Sequence, residues 1–371
     1  LVLLQIAASL LLVVLALAIH RQLDYILVRD LGFDQSHILN VEMKRMSYPH
    51  WISLKQELTR HPQILQASAA NTSLLDMEKG TFSAHWEGRE PDRKVYFEVQ
   101  PVDPDYLHTL NLQMARGRFI PSRHTTDASR AVVLNETAVR IMGLSDPVGK
   151  DFRINPFNQE IHATIIGVVK DFHFQSLHHR ITPLVFTMDP GWFNELYLKL
   201  NPRNRDLSGT LSLIHDTIRK FIPDHPFNYS FLDQDINLLY RVENQAGTLV
   251  KLAAFLALVI ACIGLFGLVS FDTRLKTRQV GIRKVCGASS LDIVRCLSAG
   301  YLKCTLWACL LAWPVAVTLT QRWYQNFSYH TRLTAGTLIL SGLVILLTMA
   351  IASGWQILRA SLLSPVESLR E

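Results

Sequence analysis

The sequence predicts an α+β domain inserted between the first and second helices of a four-helix transmembrane unit. Three observations carry that fold class. Four apolar runs, 1–19, 249–271, 302–319 and 333–358, approach or exceed the roughly 18 to 20 residues needed to cross about 30 Å of hydrocarbon. The stretch from His20 to about Ala246 instead mixes polar and apolar residues as a globular domain does. Between the second and third runs lies a basic, glycine-punctuated segment, in which Arg274, Lys276, Arg278, Arg283, Lys284 and Arg295 are set against only Asp272 and Asp292. Lys and Arg are retained on the cytoplasmic side of inserting helices, so this segment is inside, 20–246 and 320–332 are outside, and both chain ends are inside.

The elements follow in order. A first transmembrane helix and stalk is expected over 1–32. It is an uncleaved span, because Ala18-Ile-His-Arg-Gln-Leu continues as amphipathic helix where a signal peptide ends in a small-residue cleavage site. Leu1 lies inside the apolar run, so the chain reads as a fragment. The external domain, 33–232, alternates β-like runs at 38–43, 64–70, 95–102, 131–134, 163–169, 184–188, 196–200 and 229–232 with helical ones at 48–60, 104–110, 135–142 and 206–221. Asn135 and Asp206 are expected N-caps, since their side-chain oxygens accept the first free amide protons of a helix. From Asp233 the pattern turns helical with no breaker, which predicts one helix running from outside into the bilayer. Tyr25 and Leu31, with Ile236, Leu239, Tyr240 and Val242, are the residues expected to pair it with the first helix as a stalk. The remaining segment, 233–371, then holds spans at about 247–271, 300–319 and 333–358 around a cytoplasmic loop at 272–299. In that loop Ser289 or Ser290 caps a short surface helix over 291–297. Within the spans, Ala261, Gly264 and Gly267 form a small-residue face for close packing, Gln5 calls for a protein-facing partner, Pro314 kinks the third span and Lys303 snorkels to the interface.

Composition and motifs exclude several classes of function. The net charge of +6 is concentrated beside the spans while the external segment is close to neutral, so nucleic acid is not a partner. Cys262, Cys286, Cys296, Cys304 and Cys309 all lie in or inside the membrane, and the external segment has none, which fits export without a disulfide framework. Gly143-Leu-Ser-Asp-Pro-Val-Gly-Lys-Asp151 superficially resembles a phosphate-binding loop. It has five residues between its glycines, and Asp151 stands where a hydroxyl must ligand Mg²⁺, so it is a turn. Asp171, His173, His178 and His179 are a candidate zinc cluster with no second cluster to complete it; the competing reading has Phe172, Phe174 and Leu177 packing inward around polar residues of a loop. No Ser, His and Asp arrangement announces a hydrolase, so enzyme activity, a catalytic residue, a cofactor site and a metal site are all not expected on this chain. Two rival functions stay open on these residues: a membrane-anchored sensor or binding protein acting without ATP, and a metalloenzyme built on His173, His178 and His179.

Ile260-Ala-Cys-Ile-Gly-Leu-Phe-Gly-Leu-Val-Ser-Phe271 followed by Arg278-Gln-Val-Gly-Ile-Arg-Lys-Val-Cys-Gly-Ala-Ser289 resembles the permease core of MacB/FtsX-type ABC transporters. The family's usual wording is Lys-Glu-Ile-Gly-Ile-Arg-Lys-Val-Leu-Gly-Ala, so Gln279 replaces a Glu and Cys286 a Leu. Asp146-Pro-Val-Gly-Lys150, the segment 165–178 and Ser364-Pro-Val-Glu-Ser-Leu-Arg370 also look like this family's periplasmic core and C-terminus. The wording Asp-Phe-His-Phe-Gln-Ser-Leu-His is similar to a bacterial subgroup in which the unit occurs twice in one chain, and with the start at Leu1 this resemblance implies the second half of such a protein as an expectation. The resemblance implies a multi-pass protein of the bacterial inner membrane with a large periplasmic domain. A separate cytoplasmic ABC ATPase binds the ATP, and a second permease unit, as a homodimer or a fused half, completes the assembly. ATP-driven closure is then passed through the stalk to do work outside. It further implies an ATPase-coupling role for Arg278, Gly281, Ile282, Arg283, Lys284, Gly287, Ala288 and Ser289.

Overall fold

The computed structural model describes residues 2–28, 31–77, 80–90, 92–121, 130–156, 160–177, 179–285, 288–325, 328, 331 and 333–362. The chain divides into two compact units, Leu1–Val28 with Arg241–Glu371, and Arg29–Tyr240.

The unit Arg29–Tyr240 is built on two sheets. The smaller is antiparallel, with β1 (Ile38–Glu42) between β12 (Tyr229–Phe231) and β11 (Glu195–Leu200), and β2 (Ile64–Ala70) beyond β11. The larger is mixed. Its spine is β9 (Ile161–Val169), rich in β-branched residues that suit a pleated, half-buried surface, flanked on one edge by the parallel β7 (Ala131–Asn135). On its other edge β9 pairs first with β8 (Asp151–Ile154) and then with β6 (Met114–Gly117). From β7 the sheet continues through β10 (Leu184–Thr187) and β5 (Phe97–Pro101) to β3 (Gly80–Thr81), and from β8 to β4 (Ala84–Trp86). Where β6 leaves β9, Gly117 has φ 68° and a Cβ there would lie 2.4 Å from the Ile166 carbonyl oxygen. Only glycine meets both demands.

The two sheets are stitched where β2 and β5 end. Asn71 N–H donates to the Pro101 carbonyl at 2.9 Å and Asp103 N–H to that of Ala69 at 3.0 Å. Tyr106 packs beside this seam, edge-on to Tyr197 of the small sheet and tilted against Phe186 of the large one, with centroids 5.7 and 5.9 Å away. Such pairs favour tilted and edge-on geometry because the ring edge is positive and the face negative. A second apolar core, including Trp86, Phe97, Val132, Phe152 and Ile165, fills the inner face of the large sheet under the helix α4 introduced below.

The helices of this unit are α2 (Tyr48–Thr59), α3 (Tyr106–Thr109), α4 (Glu136–Met142), α5 (Leu207–Phe221) and α6 (Leu232–Leu239). Both expected caps are present. Asp206 Oδ1 accepts the Gly209 amide at 2.8 Å, and Asn135 Oδ1 accepts that of Ala138 at 2.9 Å. Asn135 also takes the Leu184 amide at 3.0 Å and donates to the Thr182 carbonyl at 2.9 Å, so one buried side chain ties α4 to the neighbouring strand. Gly143 ends α4 at φ 72°, and Gly149 at φ 88° turns the segment once compared with a phosphate-binding loop, where Lys150 pairs with Glu87 at 3.2 Å. The eight expected strands are found within a residue or two of their ends. Sequence reasoning missed β3, β4, β6 and β8, and of the helix expected over 104–110 only the single turn of α3 forms.

The helix expected to run from Asp233 into the membrane is interrupted. It stops at Leu239, and Tyr240 has φ −107° and ψ 17° before a new helix begins at Arg241. The cause is tertiary: Tyr240 is buried in this unit, and its hydroxyl accepts the Leu177 amide at 2.9 Å. Leu31 and Ile236 are likewise buried, and the Leu31 carbonyl accepts the His173 amide at 2.8 Å.

The other unit consists of α1 (Val2–Val28), α7 (Arg241–Val285), α8 (Ser290–Tyr324) and α9 (Ala335–Leu362). Leu3–Tyr25, Arg241–Phe271 and Leu302–Tyr324 are long and apolar enough to cross a membrane, and Ala335–Ile351 is a shorter apolar stretch. Their interior is small: Ile6 and Leu10 meet Ala308, Cys309, Ala312 and Ile345. Alanines at 308, 312 and 316, spaced by four and all buried, let α8 approach closely. Gln5 finds its place within the chain: a Cβ on Gly264 would lie 2.6 Å from Gln5 Oε1, while Gly267 has nothing within 4 Å. Thus Gly264 packs and Gly267 does not. Near the outer end α7 approaches α1 closely, since a Cβ on Gly247 would meet Ile19 and Leu23. Arg21 donates to Thr334 at 2.8 Å and to Thr337, and Gln22 Oε1 accepts the Thr331 amide at 2.9 Å, pinning the turn before α9 to α1. Pro314 sits inside α8, which is assigned as helix without interruption.

Replacing Asn135 with Ala removes a cap and strands the buried Leu184 amide; urea unfolding followed by tryptophan fluorescence is expected to show a loss of about 2 to 3 kcal/mol. A second expectation concerns Glu195, which is half-buried and directly opposite Glu42 across β1 and β11. Burial, reinforced by Glu42, Asp235 and Asp76, pushes its carboxyl from 4.5 up to about 7 against a hydrogen bond with Asn40. A raised carboxyl contributes stability that is present below the unfolded value and lost as pH rises through the folded one. Unfolding at pH 5 and pH 8 therefore shows a decline of about 2 kcal/mol from this group, absent in Glu195→Gln.

Candidate functional site

The basic segment is not a loop. The second span continues as helix through Phe271 and on to Val285, so Arg278, Gly281, Ile282, Arg283 and Lys284 stand on the last turns of α7. At 1.5 Å per residue the helix is about 67 Å long, more than twice the roughly 30 Å hydrocarbon thickness. The local reason is propensity: Arg, Lys, Gln and Leu are good helix formers, and Arg241–Val285 contains no proline.

The end of α7 is closed by the Ala288 amide donating to the Arg283 carbonyl at 3.0 Å, the bond between residues five apart that marks a glycine-type helix stop. The sequence places a glycine immediately before that donor; Cys286 and Gly287 themselves lie outside the described residues. Ser289 then opens α8 with a reciprocal cap. Its hydroxyl accepts the Asp292 amide at 3.3 Å, and the Asp292 carboxylate accepts the Ser289 amide at 3.1 Å. Hydrogen bonds from the Ser289 hydroxyl and amide, with Arg295 nearby, hold the Asp292 carboxyl below the usual carboxylate range. The helix that this cap starts does not stop at 297 as a separate surface helix but runs on into the third span.

The resulting tip is a turn between two helices, with an exposed stripe on the last turns of α7. Leu275 is 66% and Ile282 50% exposed, and Gln279 and Arg283 are exposed beside them. Spacings of four, three and one put these four on one face of α7. Ser289, Asp292 and Arg295 are exposed on the following helix, with Ala288 half-buried between the two. Of the expected coupling residues, Ile282, Arg283, Ala288 and Ser289 are therefore brought together at one tip. Arg278, Gly281 and Lys284 share the helix with undescribed side-chain surroundings, and Gly287 lies outside the described residues. Leu275 was missed; its signal was the seven-residue spacing to Ile282. The arrangement offers apolar contact and positive charge to a protein surface.

The histidine cluster reads differently in place. Phe172, Phe174 and Leu177 are buried, and Phe172 stacks on Phe186 at 6.1 Å. Asp171 is engaged by the Thr137 amide at 2.9 Å, the Thr137 hydroxyl at 2.7 Å and Arg140 at 3.0 Å. His173 is buried, and His178 lies outside the described residues. Among the described residues no group of three or more His, Cys, Asp or Glu is placed to hold a metal ion.

Residues 3–205 match the MacB-like periplasmic core domain and residues 251–365 the FtsX-like permease C-terminal domain. Among curated proteins, the chain is 22% identical over 291 residues to a macrolide export ATP-binding/permease protein MacB of Bdellovibrio bacteriovorus, covering 74% of this chain and 44% of that one. It is 23% identical over 290 residues to the protein of the same description from Burkholderia cenocepacia, covering 74% and 41%. The chain thus spans less than half the length of these relatives. The periplasmic region of MacB from Actinobacillus actinomycetemcomitans aligns with a TM-score of 0.40 at 12% identity, over 57% of this chain and 97% of that one. With a periplasmic core profile over more than half its length and the permease profile over the rest of the membrane unit, the chain belongs to the MacB/FtsX family of ABC transporter permeases, multi-pass proteins of the inner membrane with a periplasmic domain.

Proposed function

We propose that the chain is a permease unit of the mechanotransmission type, coupling ATP hydrolysis by a separate cytoplasmic ABC ATPase to movement of its periplasmic domain. In this reading the α+β domain is an insertion between the first and second helices of a four-helix transmembrane unit, with Ala335–Ile351 as the core of the fourth span. The observation that carries the proposal is the unbroken course of α7 from Arg241 to Val285. Its cytoplasmic end bears Leu275, Ile282 and Arg283, and its outer end joins directly to the periplasmic unit. A helix resists bending far more than a loop does, because each turn is held by its own hydrogen bonds. Displacement at the hairpin tip is therefore delivered at the outer end.

The ATPase groove receives the exposed stripe of the tip as an amphipathic helix is received, with Leu275 and Ile282 as anchors and the basic residues giving orientation. A second permease unit, identical or fused, pairs along α7. Supporting this, Leu249, Leu252, Leu256, Val259, Ile263 and Phe266 are exposed and recur at alternating spacings of three and four, the pattern of a helix seam. The work done outside is export or the rearrangement of something already in the periplasm. Macrolide export is the activity named for the relatives.

The test is co-purification of the full-length native protein with the ABC ATPase encoded beside it. Arg283→Glu with Lys284→Glu is expected to reduce recovered ATPase by at least about thirtyfold, the effect of a 2 kcal/mol penalty at a desolvated charge. Arg219→Glu on the periplasmic helix α5 leaves recovery unchanged. Equal recovery with the tip reversed, or no ATPase bound by the wild type, would turn the reading to a sensor that works without ATP.

A further inference from the structure

A cavity lies within the membrane unit, away from the α7–α8 tip. It is a groove of about 640 Å³ between α8 and α9, lined by Leu306, Trp307, Leu310 and Trp313 on one side and by Gly342 and Leu346 on the other. Its lining is apolar apart from Lys303 and Thr305. The Thr305 hydroxyl donates to Met349 Sδ at 2.8 Å, tying α8 to α9. Gly342 keeps the groove open: its absent Cβ would already sit 3.4 Å from Trp313 Cζ2, so any larger side chain fills the space.

Orientation and length identify what fits. The periplasmic domain is outside, so α8 runs outward from the hairpin tip and Lys303, one residue into the span Leu302–Tyr324, stands at the cytoplasmic surface. From Lys303 to Trp313 the groove climbs roughly 15 Å at 1.5 Å per residue. That is half of the about 30 Å hydrocarbon core, the depth of one leaflet. A cation at headgroup level above an apolar slot one leaflet deep is complementary to an anionic amphiphile with its chain pointing inward. A helix of another protein would need no charge at this level and would cover both leaflets.

We propose that the groove between α8 and α9 binds an anionic phospholipid of the cytoplasmic leaflet, its phosphate facing Lys303 and its acyl chain lying against Trp307, Leu310 and Gly342. The ammonium reaches the headgroup by snorkelling along its own apolar stem. Because the lipid would bridge the helix that follows the hairpin tip and the last span, membrane composition becomes an input to the same unit. The site depends only on membrane placement and stands or falls separately from ATPase coupling.

Native mass spectrometry of the full-length, delipidated protein tests it, titrating phosphatidylglycerol and phosphatidylethanolamine of identical acyl chains. The wild type is expected to retain the anionic lipid about fivefold more tightly, the worth of one basic residue at the surface. Lys303→Gln should erase that preference, whereas Arg295→Gln, two turns nearer the tip, preserves it. Gly342→Leu should reduce binding of both lipids, and intact mass with an unchanged melting profile will show that the variant is folded. Equal retention of the two lipids by wild type, or a preference untouched by Lys303→Gln, would mean annular lipid only and overturns the proposal. So would efficient disulfide formation between two Leu306→Cys copies in native membranes, which would place a second copy in the groove.

Discussion

A polypeptide inside hydrocarbon has no water to satisfy its amide and carbonyl groups, so a segment that enters the bilayer stays helical until it is through. Most of this molecule follows from how far α7 obeys that rule beyond the bilayer itself. The helix begins at Arg241, where the periplasmic unit ends, and stops at Val285, well past the apolar run that ends at Phe271. The final turns need no membrane to be helical, since Arg, Lys, Gln and Leu support them by propensity. A single rigid element therefore carries the basic tip at one end and the covalent link to the outside at the other. The hairpin closure from Ala288 to Arg283 and the cap from Ser289 to Asp292 then make the tip a defined surface.

The periplasmic unit has the complementary property of rigidity around a seam. Its two sheets share few backbone bonds, Asn71 to Pro101 and Asp103 to Ala69 among them, and the Tyr106, Tyr197 and Phe186 rings pack where the sheets meet. Burial keeps the Tyr106 and Tyr197 phenols raised well above their ordinary value, hence neutral. Beside the seam Lys55 donates to Asp103 and, at 2.5 Å, to Asp105. Burial raises the Asp103 carboxyl to about 6 even though Lys55 opposes the shift. Charges so enclosed hold geometry more than they add stability. Tyr240 anchors the C-terminal end of this unit through the Leu177 amide, which ends one helix and starts another where the sequence alone shows none ending.

Much of this was legible beforehand, for identifiable reasons. The strand Ile64–Ala70 and the caps Asn135 and Asp206 are written in local residue types, and each was found where local chemistry put it. The apolar runs at 1–19, 249–271 and 302–319 were legible because crossing hydrocarbon demands length. What escaped was decided at a distance. β3, β4, β6 and β8 are two to four residues long and exist only through partners elsewhere in the chain, as Ala84 does opposite Ile154. The break at Tyr240 is set by an amide 63 residues away. The basic, glycine-punctuated composition that predicts a loop at 272–299 is also rich in Arg, Lys, Gln and Leu, which keep it helical to Val285. Of the two readings of the histidine segment, the structure has Phe172, Phe174 and Leu177 buried.

The central claim is that α7 transmits the state of a bound ATPase to the periplasmic side. It is tested most directly by electron–electron distance measurement between spin labels at Gln245→Cys, on the outer end of α7, in paired units reconstituted with the ATPase in nanodiscs. The account predicts a distance distribution that shifts by about 2 to 5 Å between ATP and ADP states. It also predicts that the shift disappears when three glycines are inserted after Phe271, while ATP is still hydrolysed. An unchanged distribution during active hydrolysis, or a shift that survives the glycine insertion, would contradict it.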